Sequence, residues 1–128
     1  PDANLSQANP VSGTWYTVLN TASRVRLLSI AASITWATTQ PTPLDVRVTI
    51  DGIIVNFTIA NPVSATIYYA SLKALADMAS QDLETTDRLV SGRPFLIEGR
   101  SVKVEIRITW ATTQPTPLWC KVKYGRMK

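Results

Sequence analysis

The chain reads as an all-β protein, an antiparallel β-sandwich of jelly-roll type with about eight strands and one short helical insertion. Three observations carry this. Apolar and polar residues alternate over several short stretches. Asp51-Gly52 stands between two such stretches, the strongest short-range signal for a hairpin. Thr, Val, Ile, Trp, Tyr and Pro are abundant while Lys and Glu are few, a composition that favours strands over helices.

The first 13 residues, PDANLSQANPVSG, are polar and read as an N-terminal arm, leaving 14–128 as a single sandwich domain. From Arg26 the sequence RLLSIAASI places Leu28, Ile30, Ala32 and Ile34 on the core side of a strand and Ser29, Ala31 and Ser33 on the other. After a Thr/Gln/Pro loop, DVRVTI and IIVNFTI flank Asp51-Gly52. Pairing Ile50 with Ile53 sets Val48 against Val55 and Val46 against Phe57, so these residues and Ile59 share the core face. Arg47, Thr49, Ile54, Asn56 and Thr58 then point outward. Tyr68, Leu72, Leu75 and Ala79 at helical spacing, behind Asn61-Pro62 and a Ser64 cap, predict a helix within 64–80. Residues 81–92 read as a polar loop and Pro94 to Ile97 as a short strand. Val102, Val104, Ile106 and Ile108 alternate with polar residues, as do Cys120, Val122 and Tyr124.

The eleven residues ITWATTQPTPL occur twice, at Ile34 to Leu44 and at Ile108 to Leu118, an offset of 74 (108 − 34). The flanking strands keep their in-and-out pattern at this offset while changing sequence, so strand, loop and strand are repeated as a unit. Two explanations are structural or historical: equivalent hairpins with the same packing need, or a copied tract. The functional one places both loops at one end of the sandwich as a paired docking surface. Its residues are Trp36, Thr38, Thr39, Gln40, Pro41 and Pro43, and Trp110, Thr112, Thr113, Gln114, Pro115 and Pro117. Prolines hold such a loop extended, which limits the entropy lost on docking, and tryptophan anchors a contact. Ser29, Ala31 and Ser33 join this candidate surface, because small residues on an outer face allow another subunit, or the helix of the same chain, to approach closely.

Chemistry is scarce. The chain has no histidine, the commonest general base and metal ligand, and its single cysteine excludes an internal disulfide. Cys120 falls on a core face with no activating base and reads as a buried apolar residue. Asp77, Asp82, Glu84 and Asp87 cluster without the spacing or glycine of a calcium loop. No enzyme, cofactor or metal site is expected. Residues 1–87 carry 4 basic and 7 acidic side chains (net −3), and residues 88–128 carry 9 and 2 (net +7). The cations alternate along strands, as a solvated face would have them, so nucleic acid is not the expected partner. The apolar runs fall short of the roughly 20 residues that cross a membrane, and no membrane partner is expected. Pro1 reads as the residue left after removal of an initiator Met, giving cytoplasmic synthesis without a signal peptide.

The segment Asn20-Thr-Ala-Ser-Arg-Val-Arg-Leu-Leu-Ser-Ile, the hairpin Val46-Arg-Val-Thr-Ile-Asp-Gly, a helical insertion and the run from Arg93 to Ile106 follow one another in an order that resembles jelly-roll modules of tailed-bacteriophage virion proteins. Those modules run "NTSGKGRL" into a strand, then "ITVDG", then "F..SLKVEI", and end in "V.Y", as Val122-Lys-Tyr124 does here. Ala22 and Val25 stand where that pattern has glycines. The resemblance spans most of residues 15–124 and implies a decoration, tail or fibre protein. It makes the expected function that of a non-enzymatic virion structural subunit that forms a homo-oligomer, a trimer by expectation, and docks on other virion proteins. Two alternatives stay open: a carbohydrate- or receptor-binding sandwich, with Trp36, Trp110, Trp119 and Tyr124 as a platform for a glycan, and an extracellular filament subunit assembled by strand donation.

Overall fold

The structure, a computed structural model, describes residues 2–8, 10–35, 43–85, 97–109 and 117–126. β1 (Asp2–Gln7) pairs with β10 (Leu118–Arg126), and β2 (Tyr16–Thr21) with β9 (Val102–Ile108). β3 (Val25–Ile34) pairs with β6 (Tyr68–Tyr69) and β8 (Glu98–Gly99), and β4 (Leu44–Ile50) with β5 (Ile53–Ile59). The pairs nest, outermost with outermost, so the chain is one antiparallel ribbon rolled up, which is jelly-roll topology. Rolling brings β10 beside β3 and β9 beside β4. The sheets therefore run β1-β10-β3-β6 and β2-β9-β4-β5-β7, with β7 being Gln81–Asp82.

The sandwich is held by its inner faces. Ile30, Ala32 and Ile34 on β3 and Leu118, Cys120 and Val122 on β10 face Val46, Val48, Val55, Phe57, Val104 and Ile106 of the other sheet, all buried. The β4–β5 register is the expected one, with Ile50 opposite Ile53, Val48 opposite Val55 and Val46 opposite Phe57. Asp51 (φ 51°) and Gly52 (φ 85°) both take the positive φ that a tight two-residue hairpin turn requires.

Several expectations are corrected. Leu28 is not a core residue: Lys123 faces Ser29 and Tyr124 faces Leu27, so Leu28 is the extra residue of a β-bulge and is 50% exposed. The bulge inverts the parity, and Val25 and Leu27 fill the core instead. Ile53 keeps its partner but is 52% exposed, because β7 covers the outer edge of β5 only at Phe57 and Thr58. The helix is confined to α1 (Leu72–Ala76), capped by Ser71, whose Oγ accepts from the Ala74 N–H at 3.2 Å; Ser64 is not its cap. Tyr68, expected in the helix, is taken by the edge of β3, and Gln81–Asp82, expected in a loop, by the edge of β5. Finally, the expected arm is β1, the first strand of the ribbon, with Ala3 and Leu5 packed on the core. Its alternation is hidden in sequence because small and polar residues suffice at a half-exposed edge. Of the strand expected over 94–97 only Ile97 is described, and it is buried.

The insertion closes one side of the sandwich. Tyr69 and Glu84 exchange backbone hydrogen bonds of 2.6 and 2.9 Å, and the Leu83 N–H donates to the Thr58 carbonyl at 3.0 Å, so residues 68–84 run from the edge of one sheet to the edge of the other. α1 turns Ala74 and Leu75 into the core. It therefore plugs the side of the sandwich and does not lie over the outer face of β3.

A local two-fold axis relates the two halves. The β10–β3 pairs Leu118↔Ile34, Cys120↔Ala32 and Val122↔Ile30 have as counterparts the β4–β9 pairs Leu44↔Ile108, Val46↔Ile106 and Val48↔Val104, pair for pair at the offset of the repeat. The β1–β10 pair Leu5↔Cys120 corresponds to Phe57↔Val46, and the β2–β9 pair Tyr16↔Ile106 to Tyr68↔Ala32, with Leu5 and Tyr16 displaced by 52 (57 − 5, 68 − 16) and their partners by 74. The correspondence matches β1 to β4 with β5, β6, β9 and β10, and it breaks at the insertion that carries α1 and β7 and at the bulge at Leu28. Truncation measures that break: Leu27→Ala should cost about 2–5 kcal/mol in denaturant unfolding and Leu28→Ala under about 0.5 kcal/mol, reversing the order that plain alternation gives.

Candidate functional site

Both repeated loops start and end at the same end of the sandwich. The residues from Trp36 to Thr42 and from Trp110 to Thr116 lie outside those described, but the roots are in view. The Thr35 N–H donates to the Pro117 carbonyl at 3.1 Å, and the Thr109 N–H to the Pro43 carbonyl at 3.3 Å. These two bonds exchange under the local dyad, since 109 and 117 are the repeat partners of 35 and 43. Each loop is thus tied at its base to the other. Pro43 is partly buried and Pro117 exposed.

A second repeat meets the first. NPVSGTWY at 9–16 returns as NPVSATIY at 61–68, an offset of 52 (61 − 9). Both copies form the same turn: the Thr14 N–H donates to the Val11 carbonyl and the Thr66 N–H to the Val63 carbonyl, each at 3.2 Å. The third turn residue has positive φ in both, Gly13 at 77° and Ala65 at 63°, as a type II turn demands. The N–H of Val11 donates to the Tyr16 hydroxyl and that of Val63 to the Tyr68 hydroxyl, each at 2.8 Å. Each turn then docks on a loop root: the Gly13 N–H donates to the Ile108 carbonyl and the Ala65 N–H to the Ile34 carbonyl, both at 2.9 Å. The roots of both loops and the two turns thus meet at one end. Residues 8–15, 34–44, 60–67 and 108–118 contain none of the chain's 13 basic and 9 acidic residues. The sequence held both signals, the second repeat at its own offset and the charge gap, and alternation alone does not reveal either.

The remaining candidates separate. Ser29, Ala31 and Ser33 lie on the outer face of the first sheet, opposite Lys123, Lys121 and Trp119 of β10, with Tyr69 on the far side of Ala31. Ala31 is buried between those neighbours and Ser29 and Ser33 are half-buried. Trp119 points outward while Tyr124 packs on the core, so these two cannot share a stacking platform; Trp36 and Trp110 are outside the described residues. Lys121 and Lys123 lie outside the first sheet, whereas Lys103 and Arg107 lie outside the second, so these cations form no single stripe. In the acidic group, Asp77 ends α1, Asp82 lies in β7, Glu84 bridges to Tyr69, and Asp87 is outside the described residues.

Where the first sheet has small residues, the second has charge pairs. Arg107 binds Asp45 at 2.9 Å and Arg47 binds Glu105 at 3.0 Å, while the Thr58 hydroxyl donates to Asp45 at 2.7 Å. Both guanidinium carbons lie over the ring of Trp15, at 4.2 and 4.3 Å. Stacking and ion pairing offset the desolvation of Asp45 and Glu105, both buried. Trp15, the last residue before β2, is thereby committed to structure. Cys120 is fully buried at the centre of β10, and burial pushes its thiol up to about 12. It is neutral at physiological pH and unsuited to nucleophilic attack.

Two outcomes follow from this geometry. Ala65 adopts a conformation that costs a non-glycine residue about 1–2 kcal/mol. Ala65→Gly should therefore raise stability by up to about 1 kcal/mol, and Gly13→Ala lower it by about as much, although a Cβ at Gly13 meets no atom within 4 Å. Equilibrium unfolding of both variants measures this. The Cys120 thiol ionises near its ordinary value of 9.0 in the unfolded chain but near 12 in the folded one, so folding stability falls as pH rises through that window. Unfolding midpoints between pH 8 and 11 should fall more steeply in the native protein than in Cys120→Ala, and the native thiol should react with a thiol reagent only as fast as the chain opens.

No family model, curated protein or solved structure matches the chain, so its own geometry carries the functional reading.

Proposed function

We propose that this chain is a non-enzymatic structural subunit of a virus particle, a capsid-decoration or tail-associated protein made in the host cytoplasm. In this reading it forms a closed homo-oligomer, a trimer by expectation, and docks on a shell or tail. The observation that carries this is the repeated, charge-free end. Loops usually diverge faster than the strands they join. Here the strands have diverged and the loops are identical, while two copies of a second turn buttress them. Depletion of charge with retention of tryptophan and exposed apolar residues is the composition of an interface core. The jelly-roll topology agrees with the resemblance to tailed-phage modules.

A glycan-binding reading has one feature in its favour. Trp119 is flanked in its ladder by Ser6 and Ser33, and no hydrogen bond or ion pair engages its side chain among the described residues. A single outward tryptophan is less than the four-residue platform that reading requires.

Light scattering on the intact chain over a wide concentration range tests the proposal. A fixed, closed oligomer is the expected result, and a monomer at every concentration would contradict it. The intact chain is required because removing residues 1–13 deletes β1 and strips the edge of β10.

A further inference from the structure

We propose that the open side of the sandwich, between the edges of β1 and β2, is a docking slot for an extended strand donated by another protein. The inference rests on the reading that the chain docks on partners in a particle, and adds where a partner is held and what part of it is bound.

The second half of the chain shows the same slot filled. There β5 and β6, the counterparts of β1 and β2, are bridged by residues 80–84. The Asn56 N–H donates to the Ser80 Oγ at 3.0 Å, the Leu83 N–H donates to the Thr58 carbonyl at 3.0 Å, and Tyr69 exchanges bonds with Glu84. Leu83 is buried and joins the core between the two edges. At the offset of 52 the corresponding first-half residues are Asn4, Ser6 and Thr17. Antiparallel pairing turns the N–H and C=O of alternate residues away from the ladder, so Asn4 and Ser6 present theirs to the free side as Asn56 and Thr58 do. Among the described residues nothing bonds to them there. The chain supplies no bridge of its own for a plain reason: β2 runs into β3 through residues 22–24, with no insertion between them.

The consequence shows in the core. Val55, Phe57 and Tyr68 are at most 2% exposed, whereas Ala3, Leu5 and Tyr16 in the same places are only partly buried. β1 also lacks the devices that guard an edge, having no proline, no lysine and no bulge, and its single charge, Asp2, is paired with Lys121 at 3.3 Å.

The filled slot states what the empty one fits. The occupant is an extended segment parallel to β1 that bonds through its backbone to both edges and sets one leucine-sized side chain between them, as β7 and Leu83 do beside β5. A second copy of this chain does not supply it. Its own 80–84 segment is held in its own second half, and two β1 edges meeting about a two-fold axis would extend one sheet and leave the β2 edge and Tyr16 open.

The test titrates the full chain with a synthetic peptide of residues 79–85, ASQDLET, and follows backbone amides by NMR. Saturable shifts are expected at Asn4, Ser6 and Thr17, and none at Asn56 and Tyr69, where the slot is filled. A peptide carrying Leu83→Asp should bind at least about tenfold more weakly. The protein variant Asn4→Pro, which removes an outward N–H and spares the β1–β10 ladder, should weaken the parent peptide by a similar factor. Should Asn4→Pro fail to fold, the two peptides on the native protein carry the test. No shift at millimolar peptide, or equal binding of both peptides, would overturn the inference and leave the proposed function standing. Protection of the Asn4 and Ser6 amides on raising the chain's own concentration would assign the edge to a second copy and overturn it as well. A chain that binds the peptide but is monomeric in light scattering would overturn the closed oligomer and keep the slot.

Discussion

β3 lies against β10 and β4 against β9, and these two antiparallel ladders are the constraint that the rest of the molecule obeys. Strand, loop and strand occur twice, and a unit of that kind cannot bury its apolar face alone. Swapped pairing, first strand of one copy against second strand of the other, joins two copies into two sheets whose inner faces cover each other. Both connections then leave and re-enter the sandwich at the same end, where Thr35 reaches Pro117 and Thr109 reaches Pro43. β1 with β2, and β5 with β6, extend the same dyad outward and complete the jelly roll.

Under that constraint the surfaces have been free to differ. Counterpart positions outside the sheets carry Asp45 with Arg107 in one half and Trp119 with Ser33 in the other. The end remote from the repeated loops holds a charged crevice where Arg26 and Arg24 keep the Glu98 carboxyl below its ordinary range. The repeated end has diverged least, its loops identical and its two turns differing only at Gly13/Ala65 and Trp15/Ile67. Ala65 keeps a backbone conformation that suits glycine, as Gly13 does in the other copy, although its side chain favours another. At that φ the Ala65 N–H reaches the Ile34 carbonyl, as the Gly13 N–H reaches that of Ile108.

Much of this was legible before the structure. The β4–β5 register followed from Asp51-Gly52 because a two-residue turn leaves one in-register pairing, and the cores of β9 and β10 followed from alternation. What alternation cannot show is a parity change, and the bulge at Leu28 moved the core to Val25 and Leu27. β6, β7 and β8 have two residues each, too few for any period, so the insertion read as helix from Tyr68 and Leu75 when only five residues are helical. β1 read as an arm because an edge strand of DANLSQ buries only Ala3 and Leu5. The second repeat escaped notice because the second half carries α1 and β7, so its offset differs from that of the loops.

The central claim is that the two halves present one surface twice. Amide hydrogen exchange of the turns at 10–15 and 62–67, followed as the chain is concentrated from its dissociated to its associated state, tests it most directly. The account predicts that both turns gain protection together and to a similar extent, while the turn at Asp51-Gly52 on the opposite end does not change. Protection gained by one turn alone, or appearing at Asp51-Gly52 and at neither valine turn, would contradict it.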